Sequence, residues 1–340
     1  MSDLFGHREQ IAAFLEAARS GKLHHAWLLT GAQGIGKGRF AQMAALRLLA
    51  EAAGPAPSGE GLDVSPSHRV AHLIAAESHP DYRYLERLPK DPKEQKLPRR
   101  ERSGAEELTR NINIAQIRAL QGLFNTTPSL SPRRVVVIDS IDDLERGAAN
   151  ALLKNLEEPP TDTVFLLVSH APGRLLPTIR SRCRLLRFHG LDDLAMASVL
   201  RRAAPELDEE EISALIAAGQ GSPGRALGFA GLGIAAMDAA MIEMAETGDP
   251  ANAARAALAK GLAGKAAQKR YEAFLQRVPA FIATRAQTRS GQALADALHL
   301  WEEARTIAGS AVGLSMDPQG VVFELGTLIA GLAPKNVARL

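Results

Sequence analysis

Residues Gly31-Ala-Gln-Gly-Ile-Gly-Lys37-Gly38 fit the pattern G-x-x-x-x-G-K of a phosphate-binding loop, except at its end. The Ser or Thr that normally follows the lysine is replaced by Gly38. Glycines at Gly31, Gly34 and Gly36 let backbone N–H groups turn inward and cradle phosphate oxygens, and Lys37 is placed to reach the outer phosphates. The missing hydroxyl is a Mg²⁺ ligand in hydrolysing relatives of this motif. The chain therefore has the cradle and lacks part of the hydrolytic equipment. The order around the loop supports a real motif. Ala26–Thr30 is a short apolar run that reads as a buried strand, and Arg39–Leu49 is rich in helix formers with an apolar face. The plain alternative is a glycine turn that joins strand to helix and holds no ligand.

A second half-site follows the β-branched run Val135–Ile138, which reads as a central strand. Asp139 ends it, where phosphate-loop NTPases carry the Asp that orders the Mg²⁺ shell. The next position often holds a Glu that positions the attacking water; here it is Ser140, which cannot act as a carboxylate. Asp142 and Asp143 are close in sequence, but the turn is expected to point them elsewhere. Asp139 could equally serve as a cap for the following turn. Gly38 and Ser140 together argue against efficient hydrolysis, because positioning and charge neutralisation supply most of phosphoryl-transfer catalysis.

Further strands are expected at Tyr82–Leu85, Val164–Val168 and Leu185–Phe188, with helices around Glu9–Arg19, His68–Ala76, Ile112–Phe124 and Ala148–Leu156. Alternating strands and helices predict an α/β domain with a parallel sheet covered on both faces. Gly54–Ser67 reads as a loop, and Lys90–Arg102, with its many charges and two prolines, as an exposed, mobile and solvated one. After Leu191 no convincing strand remains; Leu194–Ala203 and Glu209–Ala218 read as helices, and from about Asp238 the chain is Ala- and Leu-rich helix. The expected division is an α/β domain over 1–189, a small helical lid over 190–237 and an all-α domain over 238–340.

The 340 residues carry a net charge of +2, which gives no global electrostatic case for binding nucleic acid or membranes. Aromatic residues are only 4% of the chain, against a base-stacking platform. The single cysteine, Cys183, excludes an internal disulfide and a Cys-cluster zinc site. With no signal peptide and no long uncharged apolar run, the expectation is a soluble, cytoplasmic protein. Arg182, in Thr178-Ile-Arg-Ser-Arg182-Cys183, is of the residue type that pairs with phosphate oxygens, and by spacing alone it serves equally as a surface arginine or an ion-pair partner.

Five stretches together resemble the bacterial clamp-loader subunits of the AAA+ class. They are His25–Trp27 with Gly34-Ile-Gly-Lys37, Ser78–Asp81, Asn150–Pro160, Thr178–Cys183 and Gly221–Leu227. The resemblance covers residues 1 to about 230; the helical remainder carries no sharp motif. It implies an AAA+ phosphate-loop domain, a helical lid and a helical collar that holds a ring of subunits together. It also implies an arginine finger at Arg182 that acts on a neighbouring subunit's ATP. Ser169 falls at the γ-phosphate sensor position and Arg225 at the sensor arginine of the lid. The implied partners are motor subunits of the gamma/tau kind, a delta subunit, the sliding clamp, and primed DNA through the assembly, within a DNA-directed DNA polymerase (nucleotidyltransferase) holoenzyme. Residual weak ATP or ADP binding stays open, and no intrinsic ATPase is expected. An active motor ATPase is the competing reading, and a stand-alone nucleotide-binding switch is a third. Many members of the family carry a zinc-binding cysteine cluster that this chain lacks. His68 and His72, spaced i, i+4, with His79 or Asp81, are the remaining candidate ligands, but no zinc is expected.

Overall fold

The computed structural model describes residues 4–102 and 107–334. It divides into two compact units. The first runs to Met196 and includes Gly221–Gly224; the second comprises Ala197–Gln220 and the chain from Arg225 onward.

In the first unit the elements follow as α1 (Arg8–Arg19), β1 (Ala26–Thr30), α2 (Lys37–Ala53), α3 (Arg69–Ala75), β2 (Tyr82–Leu85), α4 (Pro92–Gln95) and α5 (Ile114–Phe124). They continue as β3 (Arg134–Asp139), α6 (Arg146–Glu157), β4 (Thr163–Ser169), α7 (Pro177–Arg180) and β5 (Arg184–Arg187). The five strands form one parallel sheet in the order β2-β3-β4-β1-β5. The three central strands have no polar face because helices cover both sides. Their side chains still alternate between two cores. Trp27, Leu29, Val135, Val137, Leu166 and Val168 pack with Phe14 and Phe40 from α1 and α2. Leu28, Val136, Ile138, Phe165 and Leu167 pack with Ile117 and Leu152 from α5 and α6. Edge-to-face contacts Phe14–Trp27 (5.1 Å), Phe14–Phe40 (5.5 Å) and Phe40–Phe188 (5.0 Å) fix α1 and α2 on their side of the sheet.

The register places the strand ends that matter side by side. Thr30 pairs with Ser169, and Asp139 with Val168. The C-terminal ends of β1, β3 and β4 thus meet where the phosphate loop begins, the usual ligand side of an open parallel sheet.

Two local expectations change. Lys90–Arg102 is not a plain loop. Asp91 caps α4 by accepting the Lys93 N–H, with Pro92 at the first helical position, and Arg99–Glu101 forms a 3₁₀ turn. Arg99 and Arg102 both reach Glu86 (2.7 and 3.0 Å), so part of the charge run is spent on a neighbouring carboxylate. His68 does not share a helical face with His72. It is the N-cap of α3, where its Nδ1 accepts the Val70 N–H.

The second unit is helical: α8 (Asp193–Ala203) leads into it, followed by α9 (Glu209–Gly219), α10 (Pro223–Gly228), α11 (Ile234–Thr247), α12 (Ala253–Gly261), α13 (Gln268–Ala286), α14 (Gly291–Ala311) and α15 (Pro318–Ala330). Met237, Met241, Phe274, Ile282, Val322 and Leu325 are among its buried residues. Two ion pairs are sunk into this unit: Arg255 with Asp249 (3.0 Å) and Arg277 with Asp238 (2.5 Å). A Cβ at position 326 would lie 2.7 Å from Arg255 Cγ, so Gly326 makes room for the arginine. Among the described residues, no helix is long and apolar enough to cross a membrane.

Candidate functional site

The glycine loop leaves β1 under tight constraint. A Cβ on Gly31 would sit 2.5 Å from the Phe188 carbonyl oxygen, and Gly31, Gly34 and Gly36 all have positive φ (146°, 79° and 106°). The loop is also braced from behind: Ser222 Oγ donates to Gln33 O (2.8 Å) and Gly224 N to Gly34 O (2.9 Å).

Lys37, the first residue of α2, curls back into its own loop. Its Nζ donates to the carbonyls of Gly31 (2.7 Å) and Ala32 (2.5 Å), and the residue is 2% exposed. Burial lowers its pKa from 10.5 to about 8, with the charges of Asp139 and Asp142 pulling the other way. Two of the three ammonium donors are committed to the protein.

Gly38 and Asp139 are two halves of one arrangement. A Cβ at position 38 would lie 2.2 Å from Asp139 Oδ2, so the carboxylate occupies the volume a Ser or Thr side chain needs. Tyr84, from β2, holds it there by donating its hydroxyl to the same oxygen at 2.8 Å. The residues present do not fit the usual Mg²⁺ shell: the hydroxyl ligand is missing and the acidic ligand is hydrogen-bonded in its place.

Ser140 donates to Asp143 Oδ2 (3.0 Å). Asp142 overturns the expectation that it points away. It accepts from Ser169 Oγ (2.9 Å), His170 N (2.5 Å) and Ala171 N (3.3 Å), locking the turn after β4 to the turn after β3. Ser169 thus lies beside the loop, with its hydroxyl spent on Asp142. His170 follows it, with a buried Nδ1 that has no hydrogen-bond partner; burial and then Lys37 lower its pKa.

Arg182 is placed elsewhere. Its Nη1 donates to Thr178 O (2.9 Å) and its Nη2 pairs with Glu157 (2.9 Å), with about a third of the side chain exposed, 35%. Neither Lys37 nor Asp139 is among these partners. Beside it, Cys183 donates its thiol to Ile179 O, and burial pushes that thiol up to about 12, so it is chemically quiet. Arg225 belongs to the second unit, where its Nη1 donates to Gln220 Oε1 (3.0 Å). Of the residues weighed as metal ligands, His68, His79 Nδ1 and Asp81 make other bonds. His68 Nε2 lies 3.2 Å from Pro55 O, His79 Nδ1 accepts the Asp81 N–H, and Asp81 accepts the N–H groups of Ser129 and Leu130. Among the described residues no three His, Cys, Asp or Glu side chains are grouped to hold a metal.

A family model described as "DNA polymerase III, delta subunit" matches residues 6–192. The chain belongs to that family. Two relatives sharpen the delta-family assignment. The DNA polymerase III subunit delta' of Pseudomonas aeruginosa PAO1 is 37% identical over 219 residues, covering 64% of this chain and 60% of the relative. That of Escherichia coli K12 is 30% identical over 220 residues, covering 64% and 57%. The chain thus spans less than two thirds of either relative's length. Among solved structures, a DNA polymerase III gamma subunit-related protein of Thermotoga maritima aligns over 93% of this chain and 98% of its own at 15% identity, with a TM-score of 0.45.

Sequence reading of this delta-family chain found Lys37, Gly38 and Asp139 but missed Tyr84, Asp142 and His170 as part of the site. The signal for Asp142 is its spacing, three residues past Asp139 in a tight Ile-Asp-Asp turn; Tyr84 gives none, because only the β2–β3 pairing brings it to Asp139.

Two outcomes follow from this packing. Gly38→Thr should destabilise the chain by about 1–3 kcal/mol in urea unfolding, and adding Tyr84→Phe should recover part of the loss by letting Asp139 swing away. A stability-neutral Gly38→Thr would contradict the packing. Lys37 binds its proton less tightly folded (about 8) than unfolded (10.5), so between those values the unfolded chain holds more protons and stability rises with pH. Wild type should gain about 1–2 kcal/mol over Lys37→Met between about pH 7.5 and 9.5, measured by paired urea titrations.

Proposed function

We propose that this chain is a non-motor, delta-prime-type subunit of the DNA polymerase III clamp loader. In this reading it supports ATP-dependent loading of the sliding clamp onto primed DNA without turning over ATP itself. One observation carries the reading: the Asp139 carboxylate, held by Tyr84, fills the space beside Gly38 that a Mg²⁺-binding hydroxyl needs. Lys37, bonded to its own loop carbonyls, is in keeping with a site that contributes structure rather than chemistry.

Arg182 is then the residue that acts, in trans, on the ATP of an adjacent gamma/tau-type motor subunit. Its partial exposure and its tie to Glu157, a bond of the exposed kind that costs little to break, support that role. Ser169 and Arg225 keep the family's sensor positions without a sensing task. Residues 190–237 serve as the lid and the helices from 238 as the collar that joins the ring, with a delta subunit and the clamp among the remaining partners. The setting is cytoplasmic.

In a reconstituted clamp-loader complex, Arg182→Ala should leave folding and assembly intact and lower the DNA-stimulated ATPase by about tenfold or more, part of the roughly 10³–10⁵ that a trans arginine supplies at one site. Lys37→Ala should leave that rate within about twofold, because the site it belongs to is idle. Normal ATPase with Arg182→Ala would remove the finger assignment.

A further inference from the structure

A cavity of about 470 Å³ lies in the first unit between α2, α3, β2 and the Arg99–Glu101 turn, and the phosphate-loop chemistry does not use it. Its size is that of a small-molecule site. Arg39, Arg83, Arg99 and Arg102 are among its lining residues, against two carboxylates, Glu77 and Glu86, an excess of two positive charges, with Arg83 Nη1 bonded to the carbonyls of His79, Pro80 and Tyr82. The compensation is uneven. A single oxygen of Glu86 accepts from both Arg99 Nε (2.7 Å) and Arg102 Nη1 (3.0 Å). Arg99 Cζ lies over the Tyr84 ring, 3.7 Å from its centroid, which helps hold its planar donor fork in place.

The wall also contains a donor in need of an acceptor. His79 is 2% exposed, and its Nδ1 accepts the Asp81 N–H at 3.1 Å. Burial lowers its pKa, so the ring stays neutral and that bond places its proton on Nε2. Nε2 is buried and has no hydrogen-bond partner. A buried N–H left without an acceptor is unfavourable, and an incoming acceptor oxygen would relieve it. Met43, Leu46, Ile74 and Leu88 supply an apolar side to the same cavity.

We propose that this cavity binds a small organic phosphomonoester, with its phosphate on the arginines and its organic body on the apolar side. A phosphate dianion matches both the charge excess and the fork geometry of arginine better than a single carboxylate does. Because Tyr84 lines the cavity and also holds Asp139, the two sites share a wall. The proposal stands independently of the clamp-loader reading.

The test is calorimetric titration of the full chain with phenyl phosphate, with inorganic phosphate and phenol as comparisons, followed by the His79 ring ¹⁵N resonances. Saturable 1:1 binding is expected for phenyl phosphate, weaker binding for inorganic phosphate and none for phenol. Affinity should fall about tenfold in Arg39→Ala and in Arg99→Ala, each checked for fold by circular dichroism. The wild-type Nε2 resonance should shift on saturation. No saturable binding up to about 10 mM would overturn the proposal. So would equal affinity for inorganic phosphate, an unmoved Nε2 resonance, or binding that is lost in Lys37→Ala and kept in both arginine variants, which would place the ligand on the phosphate loop.

Discussion

The carboxylate of Asp139 governs this site. It sits at the end of the central strand β3, is held by Tyr84 from the neighbouring strand, and fills the space beside Gly38. In a hydrolysing phosphate loop that space belongs to a hydroxyl side chain and the carboxylate looks toward a metal. Here glycine at one position and a hydrogen-bonded aspartate at the other satisfy each other. Reversing either alone leaves a steric overlap or an unpaired polar group, so the arrangement is self-consistent rather than merely incomplete.

The surrounding bonds extend the same logic. Lys37 turns its ammonium onto Gly31 and Ala32, and Asp142 gathers the Ser169 hydroxyl and two backbone N–H groups from the turn after β4. The side chains of Lys37, Asp139 and Ser169 each have an intramolecular partner. The sheet beneath them is packed on both faces by large apolar side chains, so the strand ends that carry these groups are fixed in position. Outside the loop, Arg182 keeps about a third of its side chain exposed, 35%, while bonded to Glu157 and to Thr178 O.

Much of this was legible in the chain. Val135–Ile138 and Val164–Val168 are β-branched or apolar runs too short for helices, and they are strands; the glycine pattern between a strand and a helix marks the loop. What escaped depends on partners distant in sequence. Tyr84 and Asp139 are 55 residues apart, and Ser169 and Asp142 are 27 apart, so neither pair leaves a local pattern. His68 was misplaced because a one-residue shift in a helix start turns a face residue into a cap. Lys90–Arg102 looked like a solvated charge run because the carboxylate that pairs with part of it, Glu86, lies upstream, just past the end of β2.

The most direct measurement is nucleotide binding and phosphate release by the purified chain alone, with Mg²⁺ present. The account predicts no steady turnover, whether or not ATP or ADP binds weakly. Sustained turnover that Lys37→Ala abolishes would contradict it, because it would mean that Gly38, Ser140 and the Tyr84-held Asp139 together still support hydrolysis.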